Sequence, residues 1–304
     1  MLSFEPLKHY ALVRFSGEDA QKFLQGQFTQ DMSLVEQGKV YWTGYCTPKG
    51  RLLGNGLIWQ NSEGFWWQPR IELSPSLIKR LSMFVLRDKV KIEDDSERLG
   101  QLGIYADSLD QAMSELSLPC PALGECTVSP EGLQVIRPYP QRAIVIGEEK
   151  ILYHLREKNS IKENAHFWQR AQISEGFPEV TLAQQDQWIP QMLNMDLIHG
   201  IGFKKGCYTG QEIVARTHYL GQVKRRTVLF TCDSPVEEGD TLVNDADQET
   251  LVGHVINHAN NIELPTQFLA VVQVEAVRQS QSLRISRTRA EAKIVPLPYK
   301  VVEV

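Results

Sequence analysis

The sequence predicts an α+β protein of several parts, and three observations carry that prediction. Strand-like runs punctuated by turn formers fill the first ninety or so residues. A strand, helix, strands, helix order follows over 98–158, and 223–304 is a series of short alternating strands with hardly a helical period. At 304 residues the chain is long enough for two or three domains. Its 42% hydrophobic and 23% charged residues are those of a globular protein, not a disordered or fibrous one.

"YALVRF" at 10–15 reads as a strand, after which Ser16 caps a helix with Ala20, Phe23 and Leu24 on one face. The glutamine-rich "LQGQFTQD" ends that helix at a glycine. Runs at 39–46, 51–59 and 64–69, separated by "TPKG" and "NSEG", predict a small antiparallel meander. Ser74 and Pro75 open a helix whose apolar stripe is Leu77, Leu81, Phe84 and Val85, ahead of a strand at 89–93 and the charged break "EDDSER". From 98 to 158 the order is strand, helix (108–117), two or three strands, helix (148–158), which predicts a second α/β lobe resembling a split βαβ unit. Ser160 and Glu163 have capping-box spacing, so a helix is expected over 161–172 with Ile161, Ala165 and Trp168 on one face. After Arg226, the turns "EEGD", "NDAD" and "NHANN" separate the strands of a closed β-barrel or small sandwich. The expected domains are therefore 1–95 with 160–222, 96–159, and 223–304.

A formal net charge of −5 argues against a surface that grips nucleic acid or anionic lipid all over, so any such contact is local. Apolar runs such as "FLAVVQV" are too short to span a bilayer, and Glu5 and Pro6 interrupt the stretch where a signal peptide needs an apolar core. Five scattered cysteines with no CxxC suit reduced thiols, so the chain is expected to be cytoplasmic. Cys120 and Cys126 lack a second pair to complete a zinc site, and no metal is expected.

The stretch "GFKKGCYTGQEIVARTHYLGQVKRR", 202–226, carries the chemistry. Thr209 with Glu212 has the spacing of a capping box, and Tyr208 with Ile213 that of a hydrophobic staple, which accounts for part of the motif as a helix start. Cys207 lies just ahead of the helix's positive end and two residues after Lys205, a setting that favours a reactive thiolate. The other reading is a small buried apolar side chain. Lys204, Lys205, Arg216, Lys224, Arg225 and Arg226 face the single acid Glu212, a local charge of +5. Such a run is either a solvated face or an anion site, for nucleic-acid phosphate or for the glutamate tail of a cofactor.

"KGCYTGQE" at 205–212 resembles the signature of the YgfZ family of tRNA-modifying proteins, relatives of the T-protein, the aminomethyltransferase of glycine cleavage. The resemblance extends through "FLQGQFTQD", "GFP" at 176–178, "WIPQMLN" at 188–194 and "PLPY" at 296–299. It implies two α/β (ferredoxin-like) regions and a C-terminal β-barrel around a central folate-sized cavity, with tetrahydrofolate or a derivative as cofactor. It also implies support of tRNA methylthiolation through the upkeep of iron-sulfur enzymes, and a link to control of replication initiation. Two aromatic positions tied to the folate in the family fall on Tyr10, where tryptophan is usual, and on Trp168; a flat ring stacks on such faces. Gly206, Tyr208, Thr209, Gly210, Gln211 and Glu212 complete the motif around Cys207 and Lys205.

Relatives that transfer aminomethyl groups carry an acidic pair where this chain has Gly54 and Asn55 in "TPKGRLLGNGLIW", and neither can act as a carboxylate acid or base. Three readings stay open on the sequence. One is a folate-binding factor in which Cys207 and Lys205 serve a redox or one-carbon step. Another is a folate-dependent one-carbon transferase on an unknown substrate, the thiolate supplying the nucleophile. The last is a tRNA-binding factor working through the basic stretch.

Overall fold

The structure, a computed structural model, describes residues 2–159, 163–164, 166–244, 250–259, 265–279 and 283–301. The chain divides into two compact units. The first comprises the chain up to Tyr45, Leu53–Trp168 and Ile201–Thr209; the second comprises Cys46–Leu52, Gln169–Gly200 and the chain from Gly210.

The first part of the chain runs β1 (Leu2–Pro6), β2 (Val13–Ser16), α1 (Ala20–Gln27), β3 (Val40–Cys46), β4 (Leu52–Asn61), β5 (Gly64–Gln68), α2 (Ser74–Ser82) and β6 (Lys91–Asp94). It continues with β7 (Gly100–Ala106), α3 (Leu109–Glu115), β8 (Glu125–Val128), β9 (Gln134–Tyr139), β10 (Arg142–Gly147) and α4 (Glu149–Asn159). One five-stranded sheet has the order β3-β4-β5-β2-β6, which contains the expected meander. Its aromatic residues pack inward: Trp59 and Trp66 stack with centroids 6.4 Å apart, and Phe28 meets Trp67 at 4.7 Å.

The other sheet has the order β1-β7-β10-β9-β8, and its pairs are antiparallel. The element order over 98–158 is the expected one, with α3 carrying the chain to the far edge strand β8. Alternation along the strands sends Leu102, Ile104, Val135, Ala143 and Val145 to one face, where Met113 of α3 and Leu152 of α4 cover them. β1 is a strand that the sequence reading lacks. Only five residues long, it pairs from Leu2↔Ala106 to Pro6↔Leu102, and a partner a hundred residues away leaves no local signal.

Three local expectations are corrected. Ser16 ends β2 and does not cap α1, whose N-cap is Asp19. α2 stops at Ser82, so Leu77 and Leu81 are buried while Phe84 lies beyond the helix and is exposed. The helix expected over 161–172 is α5 (Phe167–Ser174); Ser160, Ile161 and Ala165 lie outside the described residues, and Glu163 pairs with Arg156 at 2.8 Å.

The chain then forms α6 (Gln211–Leu220), β11 (Arg225–Cys232), β12 (Thr241–Asn244), β13 (Thr250–Ala259), β14 (Thr266–Gln273), α7 (Val274–Gln279), β15 (Leu283–Ile285) and β16 (Glu291–Val295). The six strands close into a barrel in the order β11-β14-β13-β12-β15-β16, which selects the barrel over the sandwich. Cross-strand partners Phe230 and Phe268 stack in its core at 5.4 Å. α7 was not expected; its Val274, Ala276 and Val277 are buried, so "VEAVRQ" follows strand β14 without a turn former.

Within the second unit, one buried ion pair ties the barrel to the segment before α6. Arg226 donates from Nη1 and Nη2 to Asp196 at 2.6 and 2.9 Å, and from Nη1 to the Gln191 carbonyl at 2.8 Å. Its side chain is 3% exposed. A guanidinium so enclosed is permanently charged, and removing the carboxylate would leave that charge buried without its partner. Asp196→Ala is therefore expected to lower stability by about 3–5 kcal/mol in urea denaturation; a loss below about 1 kcal/mol would contradict this role for the pair.

Candidate functional site

The Lys205 ammonium is turned inward. Its Nζ donates to the carbonyl oxygens of Phe28 and Gln30 at 2.6 and 2.8 Å and lies 4.9 Å from the centre of the Tyr208 ring. Burial pushes the amine down to about 7, opposed by the charge of Asp31. The sequence reading sets Lys205 beside the thiol as an electrostatic partner. The structure spends its hydrogen bonds on the turn that follows α1 instead, because the carbonyls after that helix need a donor.

Cys207, two residues on, is exposed, as are Gly206 and Lys204. The reading of Cys207 as a buried apolar side chain therefore does not describe it. Cys46 and Cys232 are the buried thiols, and burial raises both, Cys46 far beyond the ordinary thiol range. Thr209 donates its N–H to the Gly26 carbonyl at 3.2 Å, and Tyr208 is buried beneath the lysine. The motif is thus held at Lys205, Tyr208 and Thr209, and presents Cys207 outward between them.

The capping box is corrected. The N-cap of α6 is Gly210, at φ +83°, and no side chain caps the helix. A Cβ at Gly210 would stand 2.4 Å from the Thr47 carbonyl oxygen and 2.8 Å from the Gly50 Cα, so the motif's glycine lets two backbones meet. Gln211 is half-buried and Glu212 is exposed on the first turn of α6.

The basic residues do not act as one patch. Lys205 and Arg226 are buried and already bonded, whereas Lys204, Arg216, Lys224 and Arg225 are exposed.

Tyr10 and Trp168 belong to the core of the first unit. Trp168 is 1% exposed: the Arg142 guanidinium lies 4.7 Å from its ring centre, the Tyr139 ring meets it edge-on at 6.0 Å, and its backbone N–H donates to Glu5 Oε2 at 2.8 Å. Tyr10 is 5% exposed, with the His9 ring tilted against it at 4.2 Å and its carbonyl accepting from Gln101 at 2.8 Å. Packed in this way, neither ring offers a free face to a pterin, and the two residues do not fit a stacked folate in this arrangement. A Cβ at Gly54 would approach Leu77 Cδ1 to 3.0 Å, a tight contact to which the leucine tip would have to yield. Asn55 is buried.

Residues that the pattern reading passed over join the segments it singled out. Tyr299 of "PLPY" donates from its hydroxyl to the Gly176 carbonyl of "GFP" at 2.5 Å and accepts from Asn194 Nδ2 of "WIPQMLN" at 3.3 Å. Burial raises the Tyr299 phenol to about 12, with the Asn194 bond opposing. Asn194, at φ +55°, also donates to the Thr227 carbonyl at 2.8 Å.

With that geometry in hand, comparison with known proteins places the chain. It is 29% identical over 316 residues to the tRNA-modifying protein YgfZ of Escherichia coli, covering 99% of this chain and 94% of that protein. The chain resembles YgfZ from end to end. The counterpart from Escherichia fergusonii is 28% identical over 310 residues, with the same coverage. Among solved structures, the glycine cleavage system aminomethyltransferase T from Bartonella henselae superposes with a TM-score of 0.78 at 10% identity, over 98% of this chain and 86% of that one. The fold is that of the T-protein. No family model matches. Among the described residues no helix is long and apolar enough to cross a membrane, and no group of three or more His, Cys, Asp or Glu residues could hold a metal ion.

Lys205→Met removes both hydrogen bonds to buried carbonyls and is expected to cost about 1–3 kcal/mol. The Lys205 pKa falls from 10.5 unfolded to about 7 folded, so the unfolded chain binds more protons between those values. Its contribution to stability therefore rises with pH across that window. The gap in urea stability between wild type and Lys205→Met should widen from about pH 7 to pH 9; a gap that narrows would contradict the assignment.

Proposed function

We propose that this chain is a cytoplasmic factor that supports tRNA modification, acting through iron-sulfur enzymes that add methylthio groups, with Cys207 as its reactive group. The observation that carries the reading is the end-to-end similarity to YgfZ, a tRNA-modifying protein by name, joined to a motif that is anchored internally and leaves its thiol in solvent. An exposed thiol on a fixed loop is suited to redox exchange or to nucleophilic attack. Lys205 contributes position: its two carbonyl contacts set the height at which Cys207 stands above the turn after α1.

Tetrahydrofolate or a derivative is the ligand that the resemblance assigns, and a link to replication initiation comes with it. The packing of Tyr10 and Trp168 does not support stacking by those two rings. Isothermal titration with tetrahydrofolate and its formyl derivative tests binding directly. Gly54 and Asn55 count against the one-carbon transferase reading, because neither supplies the carboxylate that transfer needs.

The decisive experiment is complementation of a deletion strain, read by mass spectrometry of tRNA nucleosides. Wild type is expected to restore the methylthiolated nucleosides, and Cys207→Ala to restore less than about a tenth of that level, the scale of losing a group the chemistry requires. Full restoration by Cys207→Ala would remove the thiol from the function.

A further inference from the structure

The second unit contains a cleft of about 890 Å³, bounded by the end of α6, the segment 221–226 and α7. Its floor is the Arg226–Asp196 pair and Gln191, all fixed by the contacts given above. Its rim carries Lys224, Arg225 and Arg278. The three are exposed, and among the described residues none is engaged in an ion pair, in contrast to Arg226 beneath them.

These cations are brought together by the barrel. β11 pairs with β14 from Arg225↔Gln273, and the Val274 N–H donates to the Lys224 carbonyl at 3.0 Å, so the ladder continues one residue past the strand. α7 then leaves that point and carries Arg278 back over the same cleft. Arg278 is more than fifty residues from Lys224 in sequence, and no pattern in either segment announces the meeting.

Hydrogen-bonding side chains line the same cleft: Gln222; Gln273 and Thr217, which donate to the Leu251 and Ile213 carbonyls at 3.4 and 2.8 Å; and the acidic Glu275, whose carboxylate accepts from Gln279. Cations for phosphate, with amides and an acceptor for hydroxyls and base edges, are the set by which proteins hold nucleotides. A bare polyanion would need only the cations. The volume lies within the usual range for small-molecule sites, about 300–1,000 Å³, and suits one or two nucleotide units.

We propose that this cleft binds ribonucleotide units, their phosphates meeting Lys224, Arg225 and Arg278 and their sugar or base edges meeting Gln222, Gln273 and Glu275. The same chemistry comes from an RNA strand or from a free nucleotide. It rests on the tRNA reading above only for the strand as source.

The test uses the full chain with two probes: a labelled single-stranded oligoribonucleotide of about 12 nucleotides, followed by anisotropy, and AMP, followed by calorimetry. The variant is Lys224→Glu/Arg225→Glu/Arg278→Glu, with Lys150→Glu in the first unit as a charge control, and thermal melting verifies that both fold. RNA binding should weaken at least ten-fold in the triple variant and stay within two-fold in the control. The slope of log affinity against log salt, between about 50 and 200 mM, should fall by about 2 for three lost contacts. Binding of the oligonucleotide alone assigns the site to a strand; AMP binding that the triple variant abolishes assigns it to a free nucleotide. Wild-type protein that binds neither probe overturns the proposal. So does RNA binding that the triple variant retains, or a cleft that takes only a polyglutamylated folate in competition. The nucleoside assay with Cys207→Ala does not depend on the cleft, so its result separates failure of this site from failure of the functional reading.

Discussion

A buried lysine amine organises the motif of this protein. Lys205 takes its amine out of water and sets it on two carbonyl oxygens, those of Phe28 and Gln30, with the face of Tyr208 alongside. Such burial disfavours the charged form and is tolerated where hydrogen bonds receive the N–H groups. The segment 202–209 therefore has one way to lie against the turn after α1, and Cys207 has one place to stand.

The second unit repeats that logic with an ion pair. Arg226 and Asp196 lock β11 to the segment before α6, and Tyr299 and Asn194 join three segments that are far apart in sequence. Polar groups buried inside a protein need partners with fixed geometry, so they specify arrangement more sharply than apolar contacts do. The thiol at the motif and the cationic rim of the cleft, by contrast, face solvent.

Much of this was legible in the sequence. Turn formers at regular spacing announced the barrel, and the element order over 98–158 appeared as read. Helix patterning placed Leu77 and Leu81 in the core. What failed had a common cause. Thr209 has the spacing of an N-cap, yet Gly210 takes that role because the Thr47–Gly50 backbone presses against it, a contact invisible to local pattern. β1, the burial of Arg226 and the arrival of Arg278 at the cleft likewise depend on partners distant in the chain. Lys205 was legible as a motif residue, but the direction of its side chain was not, since spacing reports neighbours along the chain and says nothing of the carbonyls across it.

The measurement that bears most directly on the account is mass-mapped labelling of the folded protein, with an alkylating reagent for thiols and an acylating reagent for amines in one experiment. An inward Lys205 with an outward Cys207 predicts that Cys207 is modified first among the five cysteines, and that Lys205 is modified far more slowly than its neighbour Lys204. Equal acylation of the two lysines, with Cys207 protected, would contradict it.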